Sequence, residues 1–172
     1  MYKRQTAATA RWTIDAGLNG AKMLCRVDLD DPGTLSMMTA CAAAVDELAA
    51  GGSIAMLEPF MSSRVDGRVR NDLSADAVIK SMHIVQGLGS TSAYTWLKLP
   101  VVDEMERVMD ATTMPTLLLG GDPQTAPDET FASWERALRI PSVRGLIVGR
   151  TLLYPSDGDV TTAVDTAVNL VR

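Results

Sequence analysis

Lys98 lies in an apolar run, Ala93 to Pro100 (AYTWLKLP), where packing alone gives no reason for a cation. In an extended strand side chains alternate faces, so Tyr94, Trp96 and Lys98 share one side and Thr95, Leu97 and Leu99 the other. If that side lines a barrel or cleft, loss of water disfavours the ammonium form and favours a neutral amine able to attack a carbonyl. The competing reading is a lysine at a strand end whose stem packs while its charge reaches solvent. A second run, Ser53–Phe60, carries Glu58 on the face of Ile54 and Met56, just before Pro59. A carboxylate at the C-terminal end of a strand suits general acid–base work. A salt bridge to Lys22 or Arg26 is the structural alternative, and the two readings are compatible because both need a nearby cation. On a third run, Ala21–Val27, the residues Lys22, Leu24, Arg26 and Asp28 share one parity, and a face with three ionisable groups beside one leucine is not a packed core.

Two further runs end in groups suited to an anion. Gly120 and Gly121 follow Pro115–Leu119, and Gly149–Arg150–Thr151 follows Arg144–Val148. Backbone amides and one guanidinium there could dock a phosphate. Glycines after strands also simply satisfy turn geometry, and an arginine there is often a surface charge.

The elements that must hold these groups alternate. Each apolar run is followed by a helical pattern, at about Thr34–Ala50, Ser74–Gln86, Val101–Ala111, Asp128–Leu138 and Val160–Val171, with another at Thr6–Ala16 before the first run. Gly17, Gly51 and Gly87 punctuate helix ends. The runs are apolar on both faces except near their C-terminal ends, which predicts an all-parallel sheet covered by helices. Five strands and six helices fit either an open doubly wound sheet or part of a (β/α)8 TIM barrel. There is no glycine-rich phosphate loop after the first strand, and functional-looking residues end all five strands rather than one switch point, so the barrel is the expectation. Residues 1–5 (MYKRQ) read as a foreign or artefactual start, and residues 6–172 as one partial barrel domain. Arg64–Asp72 (RVDGRVRND) is expected to be a solvated loop over the strand ends.

At 172 residues, 47% hydrophobic and 22% charged, the chain has the composition of a globular domain with a sizeable core. A net charge of −5 without a Lys/Arg block argues against nucleic acid or an anionic membrane surface as partner. No apolar segment is long enough to span a membrane. Cys25 and Cys41 read as buried free thiols of a reducing compartment, so a cytoplasmic location is expected. His83, the sole histidine, falls inside a predicted helix without clustered ligands, so no metal site is expected. The ten methionines, and the Met37, Met38, Cys41, Val45 stripe, read as core.

In order along the chain, the segments GAKMLCRVDLDDP, SIAMLEPFM, AYTWLKLP, PTLLLGGDP and RGLIVGRTLLYP resemble the class I, lysine-dependent aldolases, the group of the deoxyribose-phosphate, tagatose-bisphosphate and archaeal-type fructose-bisphosphate aldolases. Within it the chain is most similar to an actinobacterial aldolase-like (β/α)8 family associated with myo-inositol catabolism. The resemblance implies that the segments are strands four to eight of a barrel whose first three strands are missing. It implies Lys98 as the Schiff-base lysine, Glu58 as a proton shuttle and Lys22 as a further site lysine. It implies a phosphate held at Gly120, Gly121, Gly149 and Arg150; Arg26 and Asp28, on the parity of Lys22, are expected from the residues themselves to bind substrate or phosphate. The implied reaction is carbon–carbon cleavage or formation in a phosphorylated sugar or deoxy-keto acid, without metal or organic cofactor, and association into a homo-oligomer is compatible with it. The rival readings are a non-catalytic barrel fragment and a phosphate- or nucleotide-binding α/β module.

Overall fold

The computed structural model describes residues 8–120 and 127–171. Its helices are α1 (Ala10–Asp15), α2 (Gly33–Ala50), α3 (Ala75–Gln86), α4 (Met105–Asp110), α5 (Pro127–Leu138), α6 (Arg150–Leu153) and α7 (Val160–Val171). Its strands are β1 (Gly20–Val27), β2 (Ile54–Val65), β3 (Arg68–Asp72), β4 (Thr95–Leu99), β5 (Thr116–Leu119) and β6 (Val143–Ile147).

Strand order in the sheet is β1-β2-β4-β5-β6, every neighbouring pair along this path is parallel, and β3 pairs antiparallel with β2 off the path. The order follows the chain without a reversal, so there is no switch point of the doubly wound kind. Right-handed crossovers then lay the connecting helices on one face. On that face Cys25, Leu57, Leu97, Leu99 and Leu118 pack with Val45, Leu48, Val78, Met82, Val85 and Val108 from α2, α3 and α4. Leu57 and Leu97 are fully buried. The other face carries the opposite parity, with Lys22 in register with Met56, Met56 with Trp96, Leu24 with Glu58, and Lys98 with Leu117. The result is a partial (β/α)8-like arc with helices outside and a polar, partly apolar face inside.

Local chemistry explains the elements. The alanine-rich stretch of α2 has strong helix propensity and stops at Gly51, with Gly52 at φ +67°. Thr9 and Ser74 cap α1 and α3 by accepting from the amides of Trp12 and Ala77. Gly20 lets β1 start against β2, since a Cβ there would stand 2.2 Å from the Ile54 carbonyl oxygen.

Four expectations need correction. Arg64–Asp72 is a β-hairpin, not a loop, so the sheet is not all parallel. Its turn is Asp66–Gly67, both at positive φ (50° and 73°), the Asp-Gly pair that favours a two-residue hairpin turn. The run of arginines masks that signal. The helix expected over Val101–Ala111 begins only at Met105, because Val101 and Val102 pack against the core instead. The first helix spans Ala10–Asp15 among the described residues, shorter than Thr6–Ala16. A seventh helix, α6, starts at Arg150, where only a strand end was expected.

Candidate active site

Glu58 is in β2, with Lys22 in the neighbouring β1 on one side and Lys98 in β4 on the other. Its carboxylate accepts from both lysines: Lys22 Nζ lies 2.7 Å from Oε2 and Lys98 Nζ 3.2 Å from Oε1. The Glu58 and Lys98 side chains are 11% and 14% exposed, whereas Lys22 is 43% exposed. The register explains the two reaches. Leu24 is the strand partner of Glu58, so Lys22 lies one inward-facing step earlier on β1 and extends along the strand to meet the carboxylate.

Burial by itself raises the Glu58 carboxyl, but the hydrogen bond from Lys22 and the charge of Lys98 outweigh it and hold the group below its ordinary value of 4.5. Glu58 is therefore an ionised acceptor between two amines at neutral pH. Such a group can take a proton from a reacting hydroxyl and return it elsewhere within the same site.

Lys22, Glu58 and Lys98 line one open cavity of ≈ 770 Å³ together with Arg26 and Arg150. Leu24 and Arg26 also line a second cavity of ≈ 710 Å³, and Asp28 belongs to that one rather than to the lysine cavity. The Asp28 carbonyl accepts from the Thr34 hydroxyl, which ties the end of β1 to the first turn of α2. Arg26 is not the salt-bridge partner of Glu58; Lys22 and Lys98 are. The glycine corner is partly in place: the Gly120 carbonyl accepts from the Thr151 hydroxyl at 2.7 Å, stitching the end of β5 to α6, where Gly149 is the residue before Arg150. Gly121 lies outside the described residues.

The cavity also contains groups that the sequence reading missed. Asn71 and Leu73, on and after β3, line it, as do Thr130, Ser133 and Trp134 of α5. Asn71 would follow from the Asp66–Gly67 hairpin, since its register partner Ser62 lies on the Glu58 parity of β2. Nothing in the sequence marks the α5 residues, because a helix after a barrel strand is expected to face outward. His83 is exposed, with Nε2 3.2 Å from the Ala111 carbonyl. Among the described residues no group of three or more His, Cys, Asp or Glu is placed to hold a metal ion, and no helix is long and apolar enough to cross a membrane.

The sequential parallel sheet, helices on its outside and polar groups at its strand ends define a barrel-type α/β protein, represented here by part of the barrel. The chain matches the family model described as Cgl0159-like over residues 1–168, and it belongs to that family. It is similar in structure to Cgl0159 from Corynebacterium glutamicum (Brevibacterium flavum), with a TM-score of 0.94 and 60% identity over 98% of this chain and 56% of that one. A Schiff base forming fructose-1,6-bisphosphate aldolase matches with a TM-score of 0.75 and 16% identity, over 96% of this chain and 63% of that one. An archaeal fructose 1,6-bisphosphate aldolase gives 0.75 and 14%, over 95% and 62%. At such identities the aldolase likeness is one of fold. The chain spans less than two thirds of the length of each of these relatives. None of the curated proteins matched it.

Proposed function

We propose that the chain carries the reaction centre of a class I aldolase-type lyase, with Lys98 as the Schiff-base nucleophile. The observation that carries this reading is the carboxylate of Glu58 held between the amines of Lys22 and Lys98 in one open cavity. The likeness in fold to a Schiff base forming aldolase supports it.

In this reaction Lys98 first loses its ammonium proton, its free amine then adds to a ketone or aldehyde carbonyl, and loss of water leaves an iminium. Cleavage of the adjacent carbon–carbon bond sends its electron pair into the iminium, giving an enamine. Glu58 takes the hydroxyl proton of the departing aldehyde; the enamine is then protonated at carbon and hydrolysed, which frees Lys98. Lys22 is a positioning residue that holds Glu58 ionised and in place. Arg150, with the backbone amides at Gly120 and Gly149, anchors a phosphate so that the reacting carbon stays near Lys98. Arg26, on the wall shared by the two cavities, flanks the same substrate. The substrate class is a phosphorylated sugar or deoxy-keto acid. Its placement in inositol or carbohydrate breakdown is supported by the sequence resemblance, and a cytoplasmic location by the two free buried cysteines.

The test is reduction with sodium borohydride in the presence of dihydroxyacetone phosphate, followed by intact-mass measurement and peptide mapping. An adduct on Lys98, absent in Lys98→Ala and retained in Glu58→Gln, is the expected result. An unmodified Lys98 in folded protein, or an adduct that survives in Lys98→Ala, would overturn the assignment.

A further inference from the structure

Cys25 and Cys41 bring their sulfur atoms to 3.5 Å in the buried layer between β1 and α2. Both are free thiols, the first fully shielded and the second 7% exposed. A buried cysteine usually serves as a small apolar filler, and sulfur-to-sulfur contact between two elements is not needed for that role. At 3.5 Å the two sulfurs are in van der Waals contact, and about 1.5 Å of approach separates them from disulfide bonding distance.

The pair is chemically unequal. Either sulfur can donate the hydrogen bond they share, and that bond pushes the Cys25 thiol up and holds Cys41 down, which favours Cys41 as the first to ionise. Cys41 is also the less shielded of the two. Its helix neighbours Met37 and Ala40 line the ≈ 710 Å³ cavity that opens beside β1.

We propose that Cys25 and Cys41 form a redox modification site, a dithiol that closes to an intramolecular disulfide when the protein meets a hydroperoxide. The Cys41 thiolate attacks one peroxide oxygen, the O–O bond breaks, and an alcohol or water leaves once protonated, so that sulfur is oxidised to the sulfenic acid. Cys25 then attacks the Cys41 sulfur, the S–O bond breaks and water departs. In sum two thiols and one hydroperoxide give one disulfide, one alcohol or water, and one water. The bond would tie β1, the strand that carries Lys22 and Arg26, to the helix behind it.

The test is treatment of the whole chain with hydrogen peroxide, alkylation after unfolding, and non-reducing peptide mapping. The expected result is a mass loss of about 2 Da, a Cys25–Cys41 cross-linked peptide and full recovery of both thiols with dithiothreitol. In Cys25→Ser the same treatment should leave a Cys41 sulfenic acid that dimedone captures. Two alkylated thiols after peroxide, sulfinic acid on either cysteine without a cross-link, or a disulfide only between chains would each overturn the proposal. The wild-type map decides alone if the variant does not fold.

Discussion

Glu58 is shaped by opposed demands, since its burial favours the neutral acid while its two lysines favour the carboxylate, and the lysines prevail. Its folded value lies below its unfolded one, so the pairing contributes stability that is fully present above about pH 4.5 and is lost as pH falls through the folded value. Glu58→Gln should therefore destabilise the chain by about 1–3 kcal/mol at pH 7, and the gap to wild type should narrow below pH 4.5 in urea titrations run at each pH. Lys22→Met should be milder, under about 1 kcal/mol in the same titration, because that lysine is 43% exposed. The meeting of Lys22, Glu58 and Lys98 is legible in the sequence, because strand parity puts all three on one face. Parity does not give reach. Arg26 shares that face and yet does not bond Glu58, and Asp28, just past the strand end, turns to the neighbouring cavity.

Between β2 and β3 the chain turns at Asp66–Gly67, and this hairpin delivers Asn71 to the cavity. Gly67→Val should cost about 1–2 kcal/mol, because a branched side chain is strained at φ +73°. The change should also speed amide exchange at Ser62–Asn71 more than in β4. The five parallel strands were legible from their apolar runs, and helix ends from Gly51 and Gly87, which are the C-caps of α2 and α3. The hairpin was obscured because charge and strand pairing give conflicting signals, and pairing prevails where an Asp-Gly turn closes the two strands. The α5 contribution to the cavity was not legible at all, since Ser133 and Trp134 reach it through tertiary placement.

In the molecule as a whole β2 and β4 are interior to the sheet, while β1 and β6 end the path. Leu97, fully buried on β4, should cost about 2–5 kcal/mol when replaced by alanine, whereas Ile147, 39% exposed on β6, should cost under about 1 kcal/mol. Thermal or urea unfolding of the two variants checks the contrast. Composition and alternation pointed to helices over a parallel sheet, but the choice between an open doubly wound sheet and a barrel arc rests on strand order, which no local pattern encodes. That order has a consequence for synthesis. Each path strand pairs with the next path strand to be made, apart from the interposed hairpin, so the sheet can grow in the direction of translation, each parallel step closing one long crossover. Lys22 and Glu58 lie on strands made before β4, so the proposed nucleophile is the last of the three to join the chain.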